Sequence, residues 1–179
     1  IRRPPRATLL PYTTLFRSNY ITRELTAVNT YTMTNVNTAE IYGAEQSVEW
    51  DFAAGWTAYA NAAYTQGRDE THGTWLPFIA PFSGLVGVKQ SIGAWWWSLE
   101  SQWAAEQNNT PSSGTRGDSW AVLNARTGYS LMSGEYRHEF TLGVNNLTNA
   151  SYQNYMASSR GVSYREPGIN AYANWKVSF

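Results

Sequence analysis

Trp95–Ala105 reads WWWSLESQWAA, and its period decides the fold. In an extended chain successive side chains point to opposite sides. Trp95, Trp97, Leu99, Trp103 and Ala105 therefore share one face. Ser98, Glu100, Gln102 and Ala104 share the other, and Glu106 continues the polar series. Such a run, greasy on one side and polar on the other, is a half-buried β-strand with no helical period.

The same alternation recurs on both sides of this stretch. Toward the C-terminus, Ala121, Leu123, Ala125 and Tyr129 alternate with Asn124, Arg126 and Ser130, and Phe140, Leu142 and Val144 with Thr141, Gly143 and Asn145. At the end, Ile169, Ala171, Ala173, Trp175, Val177 and Phe179 alternate with Asn170, Asn174, Lys176 and Ser178. Toward the N-terminus, Val86 and Val88 flank Gly87. Trp56, Ala58, Ala60, Ala62 and Tyr64 alternate with Thr57, Asn61 and Thr65, and Tyr42, Ala44, Val48 and Trp50 with Gly43, Glu45, Ser47 and Glu49. A weaker run spans Tyr20–Thr26. Eight strands are expected, several longer than the usual five or six residues. Their connections alternate: short at 51–55, 91–94 and 132–136, long at 67–81, 107–118 and 148–168.

Composition narrows the class. The chain has 179 residues, 9 Trp, 12 Tyr and no Cys, with 13 basic against 13 acidic side chains and a mean hydropathy of −0.45. No stretch approaches the roughly 18 to 20 apolar residues of a spanning helix. The absence of Cys excludes disulfide scaffolds, thiolate metal sites and thiol catalysis. The aromatic content argues against disorder, and the neutral balance against nucleic acid as a partner.

Residues 1–18, IRRPPRATLLPYTTLFRS, stand apart, with four Arg, three Pro and no acid. They lack the apolar core of an export signal. The string resembles translated sequencing-adapter DNA, or else a disordered basic arm, and is expected to lie outside the fold. The domain of interest is then 19–179, a fragment whose own N-terminus is missing; it carries 9 basic and 13 acidic side chains.

Alternation also describes a soluble β-sandwich. Three features favour an antiparallel transmembrane β-barrel. The strands reach the roughly 9 to 11 residues needed to cross a bilayer at a tilt. Trp50, Trp56, Tyr64, Trp95, Trp103, Tyr129 and Trp175 sit near strand ends, as interfacial belts require. The apolar faces mix Ala and Gly with aromatics, which suits lipid better than an interlocked core.

A series of short motifs then carries a family resemblance. It comprises Asn35, Ala39, Gly43 and Glu45 within Tyr31–Glu45; Leu76-Pro77-Phe78-Ile79-Ala80-Pro81; Leu123-Asn124-Ala125-Arg126; Leu142–Asn149 with Tyr152; and Glu166-Pro167-Gly168 leading to the terminal Phe179. In this order the pieces resemble the end of a TonB-dependent outer-membrane receptor. Thr148 and Asn149 stand where the family usually shows an aromatic and an acid. The resemblance implies a barrel of about 22 strands, of which this chain holds about the last eight, around an N-terminal plug absent here. It implies import of a scarce nutrient, an iron-siderophore or haem by family frequency, across the outer membrane of a Gram-negative bacterium, energised by the TonB complex through the plug. The long loops would face outside and the C-terminus the periplasm.

Trp175, Val177 and Phe179 at two-residue spacing would be the signal read by the barrel-assembly machinery. Glu45, Glu49, Lys89, Glu100, Glu106 and Arg126 fall on lumen faces, since a charge facing lipid costs several kcal/mol. His72, Trp75, Arg116, Tyr155, Arg160, Tyr164 and Arg165 fall in outer loops and are candidate substrate contacts, because Arg pairs with carboxylates and stacks on aromatic rings; Met156 joins His72 as a possible haem or chelate contact. His138 starts a strand at the opposite rim, so the two histidines are not expected to share a metal. Asp69 and Glu70 read as a solvated loop pair. There is no nucleophile elbow, phosphate loop or H-E-x-x-H motif; no enzyme, cofactor or metal site is expected. Two other readings stay open: a complete eight-stranded outer-membrane barrel with a structural or adhesive role, and a soluble sandwich binding module.

Overall fold

The computed structural model describes residues 6–9, 13–27, 30–111, 114, 116–158 and 164–179. In chain order the elements are β1 (Arg6–Leu9), β2 (Thr13–Ala27), β3 (Thr30–Ala53), β4 (Trp56–Asp69), β5 (Thr74–Trp75), β6 (Ser83–Ile92), β7 (Trp95–Ala104), β8 (Trp120–Ser133), β9 (Tyr136–Asn145), a single-turn α1 (Tyr155–Ser158) and β10 (Asn170–Ser178). The strands form one antiparallel sheet in the order β1-β3-β4-β6-β7-β8-β9-β10, with β2 also on β3 and the two-residue β5 on β4.

The eight expected strands are β2, β3, β4 and β6 to β10. From β3 onward each neighbouring pair is joined either by a tight turn or by a long loop. Gly55, Gly93 and Gly134 take positive φ in the three tight turns, the conformation that two-residue hairpins demand. Loops 70–82, 105–119 and 146–169 lie at the opposite rim.

The leader departs from expectation. Residues 6–9 and 13–18 are drawn into the sheet along the free edge of β3, Leu9 opposite Gln46 and Thr13 opposite Gly43. Ladder hydrogen bonds are made by backbone, and an open strand edge accepts any extended segment. Residues 1–5 and 10–12 lie outside the described residues.

The two faces differ as the alternation predicts. Outward, Val86, Leu142 and Trp175 are 53%, 58% and 62% exposed; inward, Ser98, Val122, Asn124 and Gly128 are buried. This is the asymmetry of a curled wall seen from its convex and concave sides. Among the described residues no second sheet covers the apolar face, so the sandwich reading does not hold. The closed eight-stranded barrel does not hold either: among the described residues β10 pairs only with β9, and β1 and β2 only with β3.

Aromatic clusters mark two levels on the outer face. Near the long loops, Phe82 bridges Tyr64 and Trp103, with centroids 6.3 and 5.0 Å away. Near the tight turns, Trp50, Phe52, Trp56 and Trp97 form a chain at 5.5 to 6.0 Å, continued by Phe140 and Trp175 at 6.0 Å. The eight-residue step from Trp56 to Tyr64 is about 26 Å of strand. At the tilt typical of barrels this is roughly 20 Å of depth, close to the apolar band of such walls.

On the inner face three aromatic rings lie over glycines directly across the ladder: Tyr59 on Gly87, Trp96 on Gly128 and Tyr172 on Gly143. A Cβ at any of these glycines would sit 2.3 to 2.5 Å from ring atoms. Ring and gap are matched, which pins register without a core.

Candidate functional site at the long-loop rim

The loops do not stand off into solvent. Loop 70–82 turns inward over the concave face of β3 and β4. Leu76, 1% exposed, packs with Ile79 against Ala39 and Ile41, and both reach down onto Gly67, where a Cβ would meet them at 2.7 to 3.1 Å. The Leu76 amide donates to the Gly67 carbonyl at 3.0 Å. Phe78 takes a left-handed φ of 61° in the turn after Pro77, which swings the chain back toward the wall.

Gln107 and Tyr155 join the other loops to this one. Gln107 is buried; its Nε2 donates to the Ile79 carbonyl at 2.7 Å, its Oε1 accepts from the Asn109 amide, and its backbone bridges Gly117. Tyr155, on α1, packs its ring on Gly117 and hydrogen-bonds the Phe78 backbone. Burial raises the Tyr155 hydroxyl pKa, partly offset by that bond. The three loops thus form one cap.

Loop 146–169 is tied at its base by Asn146, 4% exposed with φ 52°. Its Nδ2 donates to the carbonyls of Ala150 (2.9 Å) and Pro167 (3.2 Å), and its Oδ1 accepts from the Ala150 amide (2.8 Å). Its own amide donates to Asn124 Oδ1 on β8. Asn149 Oδ1 accepts from the Ile169 amide at 3.0 Å. Thus the Asn-Asn-Leu-Thr-Asn stretch closes both limbs of the loop. The Trp120 and Tyr152 rings pack nearby, tilted by 34° with centroids 4.4 Å apart.

Asp69 corrects the expectation of a solvated pair. It is 6% exposed. Its Oδ1 accepts from the amides of Thr71 and His72, and its Oδ2 sits 2.7 Å from His72 Nδ1. Burial alone would raise its pKa, but the His72 ring and these amides outweigh burial and hold the carboxyl below its ordinary value. Glu70 remains exposed and pairs loosely with Arg68 at 3.6 Å.

The other candidates are spread around the cap. Arg68 lies over the Trp75 ring at 5.6 Å. Arg116 and Tyr164 are exposed, and Arg165 donates to Ser151 Oγ at 2.6 Å. Met156 is exposed beside the buried Tyr155. Arg160 lies outside the described residues. His138 sits at the opposite rim, on the outer face with Phe140 and Trp175. Among the described residues no three His, Asp or Glu gather into a metal cluster. Below the cap, the concave wall carries a polar network: Tyr59 Oη donates to Glu100 Oε2 at 3.2 Å, Arg126 lies 3.7 Å from Glu100, and Lys89 sits 5.1 Å over the Trp96 ring. Gln107 and Asn146 were not singled out by type; the motif around Asn146 was visible, but its partners lie 22 positions back on β8 and 21 ahead.

A wall with an apolar, girdled outer face, a charged inner face, and long loops folded over one mouth defines a segment of a transmembrane β-barrel. Residues 13–147 match the family model for the TonB dependent receptor-like β-barrel, and the chain belongs to that family, whose members are outer-membrane β-barrels. Similar solved structures include the copper transporter OprC (TM-score 0.83, 19% identity, 97% of this chain and 27% of that one) and the unliganded ferric citrate transporter FecA (0.65, 20%, 77% and 24%). Pseudomonas (P. aeruginosa) FpvA bound to heterologous pyoverdines is similar too (0.66, 14%, 97% and 25%). At these identities the likeness is of fold, and the chain spans about a quarter of each neighbour. No curated protein matches the chain in sequence. No helix of the described residues is long and apolar enough to cross a membrane.

Proposed function

We propose that this chain is the C-terminal wall of an outer-membrane receptor that imports a scarce nutrient, an iron-siderophore or haem first among candidates, with energy passed from the TonB complex through an N-terminal plug. In this reading the chain supplies about the last eight strands of a barrel of about 22, preceded by an adapter-derived leader at 1–18, and performs no catalysis. The observation that carries the reading is the inward-folded cap over a polar concave wall: loops that merely decorated the surface would not bury Leu76 and Gln107 at the mouth. Trp75 with Arg68 over its ring, Arg116, Tyr164 and Arg165 offer the cationic and aromatic groups that suit an anionic metal chelate. The neighbours named above for copper, ferric citrate and pyoverdine support a metal-bearing cargo. Trp175, Val177 and Phe179 serve the barrel-assembly machinery.

The test is uptake by the complete receptor in cells with and without TonB. Ferric siderophores, haem and copper are supplied as labelled probes. TonB-dependent accumulation of one of them is expected. Equal accumulation without TonB, or none of any probe by a receptor shown to be at the surface, overturns the reading.

A further inference from the structure

The outer face at the tight-turn rim carries a group that the transport reading does not use. His138 on β9 and Trp175 on β10 stack at 5.9 Å with planes 18° apart, and Phe140 completes a near-parallel trio, 6.4 Å from His138 and 6.0 Å from Trp175. Trp175 Nε1 donates to His138 Nδ1 at 3.3 Å. An indole N–H is donor only, so Nδ1 must be the acceptor, and a neutral imidazole then keeps its proton on Nε2. No partner for that Nε2–H is found among the described residues. The outer-face neighbours across the ladder are Leu131 and Val177, both apolar and both exposed.

We infer that His138, held by Trp175 and Phe140, is a binding site for the headgroup phosphate of a phospholipid in the periplasmic leaflet. The inference rests on the membrane reading of the outer face. The trio lies at the level of the lower aromatic girdle, where the wall meets the headgroups. A polar N–H left without a partner in apolar surroundings costs on the order of 1 to 3 kcal/mol, and a phosphate or ester oxygen at that depth supplies the acceptor. Phe140 and Trp175, 6.0 Å from each other, cover one flank of the imidazole, and Trp175 takes its Nδ1 edge, which leaves the Nε2 edge as the approach. The nearby cations Arg137 and Lys176 are committed inward to Glu139, at 3.2 and 3.6 Å, so neither competes with the histidine for a phosphate on the lipid side.

The test uses the complete receptor, ¹⁵N-labelled at histidine, in phosphatidylethanolamine bilayers at a pH of about 8, above the ordinary histidine range. The His138 signals are assigned by their loss in His138→Gln. The expected result is a proton on Nε2, none on Nδ1, and dephasing of Nε2 by lipid ³¹P. In Trp175→Phe the single tautomer gives way to a mixture and the ³¹P dephasing is lost. Because Trp175 also stands in the proposed assembly signal, the wild-type measurement is decisive alone: a proton on Nδ1, or no ³¹P dephasing of Nε2, overturns the site. Acyl-chain contacts at Val86 and Leu99 tell the two readings apart. If they are present while dephasing is absent, this site alone fails; if they are absent too, the membrane reading has failed with it. An equal response to inorganic phosphate in lipid-free detergent also overturns a lipid site.

Discussion

Replacing Asn146 by Ala isolates the knot that closes the longest loop. The side chain makes three hydrogen bonds of good length, two to Ala150 and one to Pro167. At about 1 kcal/mol net each they hold the loop base by about 3 kcal/mol. Asn tolerates the left-handed φ of 52°, whereas Ala there adds about 1 kcal/mol of strain. The sum, about 4 kcal/mol, raises the loop-opening equilibrium by about a thousandfold. Hydrogen exchange reads this best at amides that Asn146 does not itself bind: Glu166, which donates to the Tyr152 carbonyl, and Ile169, which donates to Asn149 Oδ1. Both should lose protection toward the unstructured limit, while β7 and β8 keep theirs. Asn146→Gly removes the same bonds without the strain and should lie about 1 kcal/mol above Asn146→Ala. Wild-type protection at Glu166 and Ile169 in the Ala variant would refute the knot. A Gly variant as damaged as the Ala variant would refute the role of strain.

Three further outcomes follow from the same geometry. Leu76→Ala removes the side chain that seats loop 70–82; with a loss of about 2 to 3 kcal/mol, protease should cleave the loop much faster while the barrel band on a heat-modifiability gel is unchanged. Gly84→Ala should lower the unfolding temperature of the wall more than Gly87→Ala, because a Cβ at 84 meets the Asn61 backbone oxygen at 2.3 Å whereas at 87 it meets only the movable Tyr59 ring; overpacking of this kind costs about 1 to 3 kcal/mol, and a reversed order would count against the register. Acid should open loop 70–82: the Asp69 carboxyl titrates below its ordinary 3.8 in the folded state, so its stabilisation is complete above that value and lost as pH falls through the depressed one. Exchange at the Thr71 and His72 amides should rise there in wild type and be already high and flat in Asp69→Ala.

The wall was legible because lipid and lumen impose a two-sided contrast on every residue that crosses the membrane. The alternation over Trp95–Ala105 corresponds to Trp95–Ala104; the connections at 51–55 and 67–81 bracket 56–66, and the strand runs Trp56–Asp69; those at 132–136 and 148–168 bracket 137–147, and the strand runs Tyr136–Asn145. Where the contrast vanishes the reading stops. In the first part of β3, TYTMTNVNT, Tyr31 and Met33 fall on one face and Val36 on the other, so no single apolar face marks the extension to Thr30. Residues 6–9 and 13–18 join the sheet through ladder pairing, which any extended backbone can make and no side-chain pattern announces. Aromatics posed a subtler difficulty. Belt logic assigns Trp and Tyr to the lipid boundary, yet Tyr59, Trp96 and Tyr172 face the lumen, each over a glycine one strand away. Gly87, Gly128 and Gly143 were in plain view, but only the register says which ring each receives. The loop cap was the least legible part. Tyr155 lies in a long loop, but its burial depends on Gly117 and Phe78, 38 and 77 residues earlier. The cap is assembled from contacts across three loops, with no period to announce them. It follows that in such a wall the strands record the solvent on each side, while the mouth records one particular packing. That packing sets how Trp75, Arg116, Tyr164 and Arg165 are arranged around the cap, in the part of the chain that alternation does not describe.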